Sequence, residues 1–468
     1  MKAQKNLISS IVLLKAINSI TFFLLLASLN LLLLENGQTM VQAAQITTLF
    51  LSVTYILPLI SGYLANKNIV PIKAFYLYSN FFASITMLLV FLTGMLSDPT
   101  LLALLCAPLQ IQNIAITDLV NKITVNKDFL RRKIMLYNYG AVNFISIIAF
   151  ATSFFLFKAN HSHYLFLFLA LAPLLNNLLY SRITKVISNN TKKDKTALLK
   201  FIILTAISFL VFWNLFQWHL FFRNLLLFST LIGILYFVYL LIKQKNNIIM
   251  LKGILYLCYF SISVLFFSIM FLKPTVIFDL VKVVANIDNP QLVLAIEPIC
   301  AVLFIGFINL LLRYLKSRKN NFYVTPLLFF MALSLLYLAV LLFTHSGLTI
   351  YNHVIFFVIY IAILTLGESL ISPEGFTLAG RLLPKSMQVY SIGLWTTFVT
   401  LGYLFSGMLS DYILKGDIVQ NSQHILSTIS LYLPVIIACS LLLTLLLEWF
   451  ISQEKKQALF SIQKSTQN

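Results

Sequence analysis

Fourteen stretches of about twenty mostly apolar residues recur along this chain, each bounded by charged or polar clusters. A run of that length is what a helix needs to cross the hydrocarbon core of a bilayer. The stretches read as Leu7–Leu34, Ala43–Ala65, Phe75–Met95, Leu101–Val120, Ile134–Phe157, Tyr164–Ile183, Phe201–Leu220, Leu225–Ile242, Ile254–Leu272, Leu292–Leu312, Tyr323–Phe343, Val354–Leu378, Tyr390–Tyr412 and Leu426–Phe450. Only 10% of the 468 residues are charged, far below the roughly one quarter that covers a water-soluble surface. A soluble fold is therefore excluded, and an all-α polytopic membrane protein is expected.

The cations confirm the count of spans. Numbering the connections from the N-terminus, the odd side holds 27 of the 33 Lys and Arg residues, the even side only Lys158, Arg223, Lys273, Lys282 and Lys415, and Lys15 lies inside the first span. Cytoplasmic loops are the ones enriched in Lys and Arg, so both termini are expected in the cytoplasm of a cell whose inner membrane holds the chain. The net charge of +19 then reflects topology and attraction to anionic headgroups, and no nucleic-acid partner is expected. The N-terminal run is too long for a signal peptide and has no small-residue cleavage site after it, so it is taken as a retained span.

The longest basic connection, SRITKVISNNTKKDKTALLK, follows the sixth span. The expected organisation is a six-helix half over 1–184, a linker with a two-helix insertion over 185–246, and a second six-helix half over 247–468. Two such halves enclosing a site at the bilayer midplane are the outline of a major facilitator fold. The insertion, joined by a short FFRN turn, carries almost no ionisable groups and reads as a lipid-facing hairpin at the bundle edge.

Charges within spans are costly and mark function. Of the 14 acids, seven lie in loops or at span ends and Glu448 can reach water near the cytoplasmic end of the last span, which leaves Asp118, Asp279, Asp288, Glu297, Glu368 and Glu374 as candidates. Glu368 is the deepest, in ILTLGESLISPEGF, where Pro373 removes a backbone hydrogen bond and allows a local bend. A carboxylate there can bind a cation, an ammonium group or a proton, or be satisfied by a neighbouring helix. Lys15 has two readings: it snorkels to the interface, or it pairs with Glu297 or Glu368 and gates the cavity.

No enzyme constellation is present. His161 and His163 form an H-x-H pair without the further ligands a metal needs. Cys106, Cys258, Cys300 and Cys439 lie within spans, far apart, and read as apolar fillers. No metal and no cofactor is expected, and the chain is not expected to be an enzyme.

Several segments together resemble the proton-dependent oligopeptide transporter family, a branch of the major facilitator superfamily. GESLISPEGFTLAGRLLPKSMQVYSIGLW followed by LGYLFSG is similar to the family's G-E-x-x-x-S-P-x-G … L-x-P … G-L-W … L-G-N-x-x-[AS]-G. Glu368, Ser372, Pro373, Gly375, Pro384, Gly393, Leu394, Trp395, Gly402 and Gly407 are in register, and Tyr403 stands where the family has Asn. VTYILPLISGYLANK matches the second-helix pattern at Tyr55, Pro58, Gly62, Ala65 and Lys67. NPQLVLAIEP matches the eighth-helix pattern at Asn289, Pro290 and Pro298, with Glu297 in an Ala position, and YGAVN ending in Asn143 is close to the fifth-helix Y-x-x-I-N. Bacterial members also carry two extra helices between the halves.

The resemblance implies a peptide site with its amino end held by Asn289 and Glu368, Trp395 in its floor, and Ser372 and Asn143 contributing. Its departures bear on substrate. The first-helix E-x-x-E-R-F-x-Y-Y falls on KAINSITFF, where Lys15 and Asn18 replace the acids, Ser19 the Arg, and Phe22 and Phe23 the tyrosines. The fourth-helix Lys-Pro-Asn reads Ile111-Gln112-Asn113, and the seventh-helix acid is absent. Apart from Lys15, one turn away from Ser19, little remains to hold a substrate carboxylate. The expected activity is secondary transport of a small peptide-like or amine-bearing solute, with proton coupling a hypothesis resting on Glu368. The partners expected are that solute, protons and membrane lipids, with the chain acting as a monomer. A non-transporting sensor or scaffold of the same fold, or transport of a non-peptide solute, is the alternative.

Overall fold

The computed structural model describes residues 2–35, 40–67, 69, 71–93, 112–124, 128–159, 161–187, 196–217, 219–270, 291–315, 332–336 and 350–413, with single positions between 435 and 449. Among them the regular structure is helical. The α-helices are α1 (Lys2–Glu35), α2 (Met40–Asn66), α3 (Ile72–Thr93), α4 (Gln112–Ile123), α5 (Asp128–Lys158), α6 (Leu165–Ile187), α7 (Ala197–Gln217), α8 (His219–Lys243), α9 (Asn247–Met270), α10 (Gln291–Leu315), α11 (Ile350–Arg381) and α12 (Lys385–Ile413). Among the described residues ten helical segments are long and apolar enough to cross a membrane, and the protein is a multi-pass membrane protein. Twelve of the fourteen expected spans coincide with these helices. Most of Tyr323–Phe343 and Leu426–Phe450, and the start of Leu101–Val120, lie outside the described residues.

The helices overrun the apolar runs at their charged ends. α5 begins at Asp128 and takes in Arg131, Arg132 and Lys133, because a helix keeps its backbone satisfied as it leaves the bilayer whether or not its side chains stay apolar. Hydroxyls inside the spans are satisfied in the same way: Ser28, Thr54, Ser61, Thr230 and Thr365 each donate to the carbonyl four residues earlier. Large apolar side chains such as Phe81, Leu92, Phe155, Leu178 and Leu303 stay exposed around the bundle, where lipid covers them.

The N-terminal helices meet the C-terminal ones along a few seams. α2 and α12 lie antiparallel in close backbone contact: a Cβ added to Gly393 would sit 2.3 Å from the Pro58 carbonyl oxygen, and one on Gly62 would sit 3.0 Å from that of Val389. Further along, Thr400 donates to the Ser52 carbonyl at 3.0 Å. α5 packs against α10 and α11, with Gly140 facing Ile305. Near the basic connections, Arg132 Nη2 of α5 donates to Glu374 Oε1 of α11 at 2.6 Å.

The inserted hairpin does more than line the bundle edge. α7 packs on α3, with Phe201 among Phe75, Tyr78 and Phe82. α8 lies over the α2–α12 seam and touches both. Tyr390 of α12 donates to the Gly233 carbonyl at 2.7 Å, Tyr236 packs against both Tyr63 and Tyr390, and Leu59 fills the space where a side chain at Gly233 would go. Its other face, including Phe228, Leu231 and Leu235, is exposed. The turn into α9 uses Lys245 at φ 49°, after which Asn246 Oδ1 caps the helix by accepting from the Ile248 and Ile249 amides.

Candidate functional site

Glu368 lies in the middle of α11, which runs as continuous helix through Pro373. Ser369 donates to the Thr365 carbonyl and Thr377 to that of Pro373. α10 packs against α11, so Glu297 and Glu368, 71 positions apart in sequence, lie on neighbouring helices. Both carboxylates act electrostatically on Tyr55 of α2, Tyr139 of α5 and Tyr403 of α12. The Tyr139 hydroxyl faces Glu368 and Ser369, and the Tyr55 and Tyr403 rings are 6.4 Å apart. Phe22 of α1 closes this wall edge-on to Tyr55 at 5.6 Å. Helices of both groups therefore contribute to one cluster of two acids and three tyrosines. Carboxylates attract a cation by charge and aromatic faces attract it by their quadrupole, so the arrangement suits a positively charged group.

The other expected site residues are distributed differently. Ser372 lies half-buried one turn beyond Glu368. Asn143 is buried and donates its amide to the Tyr139 carbonyl, fixing its own helix. Trp395 is 0% exposed. Its ring neighbours are Tyr256, Tyr259, Phe260, Phe376 and Phe398, the stacked Tyr259 at 5.6 Å, and it fills the space beside Gly375. Its ring is packed between α9, α11 and α12. Lys15 lies half-buried on α1, which packs against α2, α4, α5 and α6, and its carbonyl accepts from the Ser19 hydroxyl. Asn289 lies outside the described residues, as do Asp279 and Asp288.

Asn18 accepts from Tyr76 and from Asn176, both at 3.4 Å, so a neutral polar knot ties α1, α3 and α6 together. Asp118 pairs with Lys122 on its own helix at 2.6 Å. His161 and His163 pack against Tyr164, and His163 also stacks on Phe91. No group of three metal-ligating side chains occurs among the described residues.

Tyr55, Tyr139 and Tyr403 are not among the expected site residues, yet all three stand in segments that carry the resemblance: Tyr55 in VTYILPLISGYLANK, Tyr139 opening YGAVN and Tyr403 replacing an Asn.

The backbone as a whole is similar to solved peptide transporters. A bacterial homologue of the human drug peptide transporters matches over 96% of this chain and 99% of its own, with a TM-score of 0.70 and 14% identity. A structure bearing on substrate recognition in proton-dependent oligopeptide transporters matches over 97% and 99%, with a TM-score of 0.68 and 12% identity. The chain has the major facilitator fold of these transporters. A third structure, of a transporter of that family in complex with a thioalcohol-conjugated peptide, matches over 96% of both chains with a TM-score of 0.68 and 14% identity. No family model matches the chain, and no curated protein matches its sequence.

Proposed function

We propose that this protein is a secondary active transporter of the inner membrane that moves a small peptide-like or amine-bearing solute by alternating access. The moving bodies are the halves 1–184 and 247–468, joined by 185–246, with both termini cytoplasmic. The observation that carries the reading is the convergence of Glu368 and Glu297 with Tyr55, Tyr139 and Tyr403 from helices of both halves, because a site shared between two bodies is what alternating access requires. Neighbouring folds crystallised with peptide or as peptide transporters support the same class of solute. The first- and fourth-helix cations that would meet a carboxylate are missing from the sequence, so the amino end dominates recognition. Glu368 is also the group proposed to exchange a proton during the cycle.

The test is a thermal-stabilisation screen of the purified protein against amines, amino acids and short peptides, run beside Glu368→Gln. Amine-bearing compounds should stabilise the wild type, as any ligand selective for the folded state does, and should lose that effect on Glu368→Gln. Stabilisation that requires a free carboxylate and survives the substitution would overturn the proposal.

A further inference from the structure

Three consecutive basic residues lie in the first turns of α5, and at about 100° per residue they leave the helix in three directions. Arg131 turns back onto α4, donating to Thr124 Oγ1 at 3.1 Å and to the Thr124 carbonyl at 3.4 Å. Lys133 lies over the Tyr137 ring at 5.5 Å. Arg132 crosses to α11 and meets Glu374 at 2.6 Å, with the two side chains only 11% and 6% exposed.

We propose that the Arg132–Glu374 pair is a latch that holds the two halves together at the basic end of the bundle and releases when that end opens. This rests on the alternating-access reading, though its test needs no substrate. The pair joins residues 242 positions apart, one from each half. At the same end, the Gly62–Val389 and Gly393–Pro58 contacts bring the α2 and α12 backbones together, so the latch belongs to a closed face. Its acid is firmly seated. Tyr259 of α9 lies in the field of both Glu374 and Arg132 and stacks on Trp395, and Trp395 fills the space beside Gly375, the next residue after Glu374. Glu374 also follows Glu368 by six residues, about 9 Å along the same continuous helix, so movement of α11 as a body at the carboxylate cluster carries the latch with it.

The chemistry suits reversible closure. A buried ion pair gains little net energy because its Coulomb attraction offsets the hydration that both groups lose, and removing one partner leaves an uncompensated buried charge. When the face opens, both groups recover their water. An apolar pair of similar size gains nothing from water on opening and would hold the face shut.

The test is amide hydrogen exchange on the full-length protein in lipid nanodiscs, following peptides over 128–140 and 370–390. Arg132→Gln and Glu374→Gln should each raise exchange there by about tenfold or more, with helices away from this face unchanged. The charge-swapped Arg132→Glu/Glu374→Arg protein should return to within about threefold of wild type, and Arg132→Met/Glu374→Met should exchange more slowly than wild type. Single variants that exchange like wild type, that loosen the whole bundle, or that the swap fails to restore would each overturn the latch. The predicted exchange pattern in a protein that moves no solute would support the latch and remove the transporter reading.

Discussion

Gly375 provides a sharp test of the packing behind the site. A Cβ built there would lie 1.7 Å from Cζ2, 2.0 Å from Cε2 and 2.2 Å from Cη2 of Trp395, where carbon atoms pack best at about 3.5–4.0 Å. The ring would have to retreat by about 1.5 Å or more, and it has nowhere to go. Phe398 is 4.5 Å away, Tyr259 5.6 Å and Tyr256 6.2 Å between ring centroids. Gly375→Ala should therefore destabilise the protein by about 1–3 kcal/mol or more through overpacking, outweighing the ~1 kcal/mol that alanine gains over glycine in a helix. Trp395→Ala alone should cost about 3–5 kcal/mol, as large aromatic truncations do. In the Trp395→Ala background the obstruction is gone, so the same glycine substitution should become stabilising by up to ~1 kcal/mol. Reversible unfolding of the four proteins in mixed micelles measures the cycle. If Gly375→Ala has the same sign with and without the indole, the account of this contact is wrong.

Three further outcomes follow from the same geometry. Gly393→Ala would place a Cβ 2.3 Å from the Pro58 carbonyl oxygen and 3.0 Å from the Leu59 Cα; backbone atoms cannot swing aside, so size-exclusion of the detergent-solubilised protein should show a large loss of the folded peak. Tyr390→Phe removes the hydrogen bond to the Gly233 carbonyl, at a cost of about 1 kcal/mol, and should raise amide exchange in α8 selectively. Arg131→Ala frees Thr124 at the end of α4 and should fray that terminus by a similar amount, read as faster exchange over 120–124 with the latch peptides unaffected.

The sequence made the helices legible because bilayer thickness sets their length and loop charge sets their order, and both are local properties. Glu368 was legible for a related reason: a carboxylate in the middle of an apolar run stands out without any knowledge of its neighbours. What it meets was not legible. Glu297 is on another helix and Tyr55, Tyr139 and Tyr403 on three more, so the cluster exists only after packing. Glu374 stood out as one acid among several, but its partner belongs to a basic run that topology alone already explained. Trp395 was marked by its motif, but its packing was not legible: the fit of the indole against Gly375 and the α9 aromatics arises only once α9, α11 and α12 come together. The hairpin read as a lipid-facing edge because its composition is uniformly apolar; the contacts that place α8 on the α2–α12 seam depend on Gly233 lacking a side chain and on one tyrosine hydroxyl.

The central claim is that a solute crosses the membrane through the carboxylate–tyrosine cluster shared by the two halves. Its most direct test is uptake of a radiolabelled stabilising amine or short peptide into proteoliposomes under an imposed inside-alkaline pH gradient, comparing wild type with Glu368→Gln. The account predicts saturable, gradient-driven uptake by the wild type and its loss in the variant. Uptake that ignores both the gradient and the substitution, or a solute that stabilises the protein without crossing the membrane, would contradict it.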